Sequence, residues 1–161
     1  MPTATYTPLA TVTLASTSGS ITFSSIPGTY RDLILVIDGN TSGTGVPVGL
    51  RFNADSGTNY AGVIMSGSGS AAASSSNSAN NVADIAYFDN TSKMNAITQI
   101  MDYSATDKHK TLLSRSNQAG TYVLAYASRW ANTSAITSIQ VLPLVSSLAA
   151  GTTLSLYGVI A

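Results

Sequence analysis

The chain is written in steps of two. Apolar residues alternate with Ser or Thr through residues 11–15 (TVTLA) and 20–24 (SITFS), residues 48–53 (VGLRFN) alternate as cleanly with Gly, Arg and Asn, and residues 121–131 (TYVLAYASRWA) have two distinct faces; a period of two marks strands with one buried face. Helix-period patterning is hard to find. Val12 and Leu14 share one face of the first segment, Ile21 and Phe23 one face of the second, and Thr17, Ser18 and Gly19 between them predict a hairpin turn. Residues 31–38 (RDLILVID) have a continuous apolar centre, as a central strand covered on both faces would. Residues 53–57 (NADSG) are turn chemistry, with Asn and Asp bonding their own backbone and Gly57 supplying positive φ. Residues 60–65 continue as a strand, and others are expected near 84–88, 96–103, 110–116, 122–131, 135–142 and 153–160. In residues 121–131 one face carries Tyr122, Leu124, Tyr126 and Trp130, and the other Val123, Ala125, Ala127 and Arg129. About ten short strands between turn signals predict an all-β fold, a single antiparallel β-sandwich that is jelly-roll-like.

With 161 residues, 44% of them hydrophobic, the core is large enough for one domain without a metal or disulfide staple. Pro2 and Pro8 favour an extended arm over residues 1–8, leaving residues 9–161 for the sandwich. Residues 66–81 (SGSGSAAASSSNSANN) have little to bury and predict an exposed loop. Residues 1–10 carry neither a basic run nor an apolar stretch, so no secretory leader is expected. The sequons at Asn40, Asn90 and Asn132 are then effects of composition. No apolar run reaches the length of a membrane span.

Charge narrows the function classes. Seven Lys and Arg balance seven acidic residues, and charged side chains make up 9% of the chain against about 25% in ordinary soluble domains. The surface must therefore be Ser, Thr, Asn, Gly and Ala. A net charge of zero argues against nucleic acid as a partner, because neutralising phosphates takes a basic surplus. There is no Cys to supply a thiol nucleophile or a zinc knuckle. The single His109 lies in a charge cluster with Asp107, Lys108 and Lys110, but residues 66–70 (SGSGS) lack the strand-to-helix context of a nucleophile elbow. His109 therefore reads as a solvated turn residue. All the acids are Asp (Asp32, Asp38, Asp55, Asp84, Asp89, Asp102 and Asp107), and most flank turns or strand ends, where bonding to the backbone accounts for them. A catalytic carboxylate pair or an oxygen-ligand cation site at Asp102 with Asp107, or at Asp55 with Asn53, is the less economical reading. The Gly-rich runs 39–49 and 67–69 lack the Lys-Ser/Thr of a phosphate loop. No catalytic residue, metal or cofactor is assigned. Trp130 suits either the core or an interface.

Four stretches, SSIPGTYRDLILVIDG (24–39), LRFNADSGTNYAG (50–62), SRWANTSAITSIQVLP (128–143) and AAGTTLSLYGVI (149–160), resemble in order the landmarks of a family of small virion structural proteins of tailed bacteriophages. The resemblance spans nearly the whole chain, with residues 66–116 matching only loosely. It implies a β-sandwich or jelly-roll module in a capsid decoration (cement) protein, or in a tail fibre or appendage that recognises a carbohydrate or receptor. No collagen-like shaft is present, which favours the capsid. The implied partners are the major capsid protein, further copies of the chain in a homotrimer, and, in the appendage reading, a host-surface glycan; membrane and nucleic acid are not among them. The implied location is the virion surface, assembled in the host cytoplasm, and the implied role is not enzymatic. Tyr6 and Pro8 of the arm, with Trp130, are the candidate interface residues, Tyr6 first because tyrosine buries a large area and keeps a polar tip.

Overall fold

Alternation resolves into strand after strand once the small polar runs are taken as connections. The computed structural model describes residues 5–118 and 120–160. Among them every helix-length or strand-length element is extended: β1 (Tyr6–Thr13), β2 (Ile21–Phe23), β3 (Asp32–Gly39), β4 (Val46–Phe52), β5 (Tyr60–Gly67), β6 (Ala72–Asn80), β7 (Ala83–Phe88), β8 (Met94–Met101), β9 (Lys110–Gln118), β10 (Tyr122–Trp130), β11 (Ile139–Pro143) and β12 (Thr153–Val159). They form an eight-stranded sheet in the order β1-β12-β3-β8-β9-β10-β5-β6 and a four-stranded sheet in the order β2-β11-β4-β7. All pairings are antiparallel. The fold is thus an all-β, jelly-roll-like antiparallel sandwich, as the alternation predicts.

One core lies between the sheets. Leu33, Leu35 and Ile37 of β3, Leu154 and Leu156 of β12, and Ile100 of β8 meet Val48, Leu50 and Phe52 of β4 and Ile139 and Val141 of β11. Each fully buried Leu, Ile, Val or Phe is worth about 1.5–3 kcal/mol against exposure. β3 is interior to its sheet, between β12 and β8. Its second face is not covered by another layer, however: Ile34 and Val36 are half-buried on the outside of the sandwich.

Other local expectations are corrected by long-range pairing. Residues 17–19 do not close a hairpin, because β1 pairs with β12 while β2 pairs with β11 in the other sheet. The connection switches sheets and is pinned by reciprocal Ser18–Leu148 backbone bonds of 3.0 and 2.8 Å. Residues 66–81 are exposed but are not a loop. They comprise the end of β5, a tight turn with Gly69 at φ 84°, and β6, which ladders along β5 from Gly67↔Ala72 to Tyr60↔Asn80. A ladder is made by backbone N–H and C=O groups, so an edge strand facing water on both sides needs no apolar side chain. Of the expected arm, Tyr6–Pro8 belong to β1 at the opposite edge, and residues 1–4 lie outside the described residues. Pro8 is tolerated because β1 has a free edge and its register slips between Pro8 and Ala10. In the 53–57 turn the positive φ falls on Asn53 (52°) and Ala54 (59°) rather than Gly57. The strand expected over 135–142 begins only at Ile139, since the segment before it is tied to Asn53: the Asn53 amide donates to Ala135 O at 2.8 Å, and its oxygen accepts from Thr137 N at 2.9 Å.

Candidate functional site

The polar residues singled out by sequence are mostly structural in place. His109 is exposed in the turn before β9, beside exposed Asp107 and Lys108. Ser68 Oγ accepts from Ala71 N at 3.1 Å and so belongs to the β5–β6 turn. Among the described residues no three His, Cys, Asp or Glu side chains come together to hold a metal ion. Asp55 accepts from Trp130 Nε1 (2.7 Å), Asn59 Nδ2 (2.9 Å) and Gly57 N (2.9 Å). Partial burial works against its ionisation, but these donors outweigh it and hold the carboxyl below the usual range. Asp32 behaves alike: burial opposes its charge, and the Asp102 N–H, the Gln99 amide and the Arg31 guanidinium outweigh that and lower it.

The candidate interface residues separate. Tyr6 and Pro8 are exposed on β1. Trp130 is only 1% exposed and stacks near Phe52 and Tyr60, with ring centroids 5.5 and 6.4 Å away. It is a core residue, with its indole N–H committed to Asp55 and its ring packed against both neighbours, so almost none of its surface is left for the interface expected of it.

Sequence reasoning passed over Lys110. The alternation of β9 turns Lys110, Leu112, Ser114, Ser116 and Gln118 inward, so the period itself held the signal. The Lys110 ammonium is fully buried and donates to Lys108 O (3.0 Å) and Thr133 O (3.1 Å). Burial lowers its pKa, with Asp107 partly opposing.

Two surfaces remain that structure alone reveals. The first is the outer face of the eight-stranded sheet. Cross-strand register sets Ile34, Gln99, Leu113, Ala127 and Val63 in one row and Val36, Ile97, Arg115, Ala125 and Met65 in the next. Tyr6, Val63, Met65, Ile97, Leu113 and Val123 are large apolar side chains exposed to solvent on this face, Met65 at 63% and Leu113 at 52%. Among the described residues, neither Arg115 nor Arg129 on this face pairs with a carboxylate.

The second surface is a cleft at one end of the sandwich. The smaller sheet ends at β7, which packs against β9 and β10, while β5 and β6 run on past it. The inner side of β10 near Tyr122, with the facing parts of β5 and β6, therefore stays open, giving a cleft of about 470 Å³ walled by Tyr122, Leu124, Tyr126, Ile64 and Ser75, with Tyr87 of β7 opposite. The Tyr87 and Tyr122 rings lie 5.8 Å apart, tilted by 59°. Tyr126 is nearly buried, and burial, followed by the nearby Asp84, raises its hydroxyl pKa. Ser116 is close enough to favour the phenolate, though its Oγ makes no hydrogen bond of ordinary geometry. Asp84 is raised by burial, which the Asn77 amide on its Oδ2 only partly offsets, and its Oδ1 is buried without a partner.

No protein-family model and no curated protein sequence matches the chain. Among solved structures it is similar to an exo-inulinase from Aspergillus awamori, with 9% identity and a TM-score of 0.47 over 96% of this chain and 29% of that one. It is also similar to galectin LEC-6 of Caenorhabditis elegans (10% identity, TM-score 0.36, 91% of this chain and 94% of that one) and to alginate lyase Aly36B (14%, 0.35, 92% and 77%). The chain spans about 29% of the length of the exo-inulinase. These likenesses reach no further than a sandwich of strands.

Proposed function

We propose that the chain is a non-catalytic virion structural protein, a capsid decoration subunit that binds the major capsid protein on the outside of a phage head as a homotrimer. The observation that supports this reading is the apolar outer face of the eight-stranded sheet. Monomeric soluble proteins rarely expose contiguous apolar patches beyond a few hundred Å², and here Val63, Met65, Ile97 and Leu113 stand in adjoining rows. Apolar contacts built on this face do not weaken when salt screens ion pairs, and Arg115, which stands between Ile97 and Ala125 in the second row, calls for an acceptor on whatever covers it. Exposed Tyr6, at the free edge of β1, extends that face toward a neighbouring copy.

Quantitative mass spectrometry of the purified particle tests the assignment. A decoration subunit is expected in proportion to the major capsid protein, whereas a stoichiometry matching the tail machinery would overturn the head location. Light scattering on the isolated protein, before and after deletion of residues 1–7, tests the trimer: a monomer that does not bind emptied capsids removes it. A His109→Ala variant is expected to bind as the parent does.

A further inference from the structure

We propose that the cleft walled by Tyr87, Tyr122 and Tyr126 binds a neutral pyranose ring of a glycan. This goes beyond the assembly reading and does not depend on it, since the cleft lies on the inner side of β10, β5 and β6, away from the outer apolar face.

Three features of the cleft carry the argument. Its walls are aromatic and aliphatic, from Tyr87, Tyr122, Leu124 and Ile64, and a tyrosine ring offers a flat apolar surface with a polar tip. That suits a ligand with an apolar face and a polar rim, as a pyranose has with its C–H face and ring hydroxyls. Beside that wall lie the hydroxyls of Ser66 on β5 and Ser75 on β6. A hydroxyl both donates and accepts, so these can meet the hydroxyls of a sugar seated on the tyrosine rings. Charge then chooses among saccharides. Among the described residues no Lys or Arg lines the cleft, and the charges felt by its tyrosines are the carboxyls of Asp84 and Asp89. An acidic sugar would find no cation to pair with and two carboxyls in the neighbourhood. A neutral sugar meets neither cost.

The test uses the full chain, titrated by calorimetry and followed by amide NMR. The probes are cellohexaose, maltohexaose and N-acetylchitohexaose as neutral glycans, with hexagalacturonate as the acidic one. At least one neutral probe is expected to bind with a Kd of about 1 mM or tighter, with shifts centred on Tyr87, Tyr122, Ile64 and Ser75. Tyr122→Ala should weaken that binding by about fivefold to tenfold. Leu113→Ala, on the outer face, should leave it unchanged. Should Tyr122→Ala unfold, Ser75→Trp on the exposed strand β6 fills the cleft without touching the core and is expected to abolish binding. The proposal is overturned if no neutral probe binds at about 10 mM, if binding survives Ser75→Trp, or if hexagalacturonate binds as tightly as the neutral probes. Water as the only occupant of the cleft would appear as the first of these results.

Discussion

Asp55 takes hydrogen bonds from an indole, a side-chain amide and a backbone N–H while its own carbonyl accepts from the Tyr60 hydroxyl at 3.1 Å. Asp55→Ala strips the partner from the buried Trp130 N–H and is expected to cost about 2–4 kcal/mol, read from urea unfolding. Its folded pKa lies below the unfolded value of 3.8, as does that of Asp32. The stability these groups supply is therefore present above that value and is lost as pH falls through their folded pKa values. Asp55→Asn should flatten the acid limb of the stability curve. Lys110 acts with the opposite sense. Its folded pKa is below 10.5, so between the two values the unfolded chain holds the extra proton and stability rises with pH. Buried with carbonyls as its hydrogen-bond acceptors, the ammonium is a net cost at neutral pH. Lys110→Met is expected to be as stable as the parent or more so at pH 7, and to lose that alkaline rise. Tyr60, pushed up to about 12 by burial, works against it above pH 10, where the unfolded phenol ionises first; comparison with the parent at each pH separates the two.

At the scale of elements, the stretches that carried the family resemblance clasp one another. Residues 53–60 hold residues 130–138 through Asn53 and Asp55. Tyr30, just before β3, lays its ring on Gly158 of β12, where an added Cβ would run into the ring carbons. Gly158→Ala must therefore displace Tyr30 or bend a strand held between β1 and β3, and a loss of about 1–3 kcal/mol is expected in thermal melts. The two edges of the large sheet differ from its middle. β6 is exposed on both faces for most of its length, whereas β3 and β8 are paired on both sides and bury alternate residues. Hydrogen exchange should be fastest in β6 and slowest in β3 and β8. Protection of β6 equal to that of β3 would mean that something covers it.

For the whole molecule, the mismatch between eight strands and four sets both surfaces of interest. A four-stranded layer cannot cover the inner side of an eight-stranded one, which leaves the tyrosine cleft, and no third layer covers the outer side. A double variant Met65→Lys, Leu113→Lys should melt within about 0.5 kcal/mol of the parent, because both side chains are more than half exposed in the isolated chain. The same variant is expected to lose binding to emptied capsids. Retained binding would move the contact to another face.

The class of fold was legible in the sequence because side-chain alternation is a local property: the inward set Val48, Leu50 and Phe52, or Tyr122, Leu124, Tyr126 and Trp130, can be read two residues at a time. The same local reading placed Trp130 and its inward neighbours on one face and kept His109 in a solvated turn. Pairing is not local. Whether residues 17–19 turn back on β1 or cross to the other sheet depends on Leu148, far along the chain, and whether Ser-rich residues 72–80 form a strand depends on backbone bonds to β5 that no side chain announces. The cleft was illegible for the same reason. Tyr122 and Tyr126 share a strand face that alternation finds, but Tyr87 joins them only because β7 is the last strand of the smaller sheet.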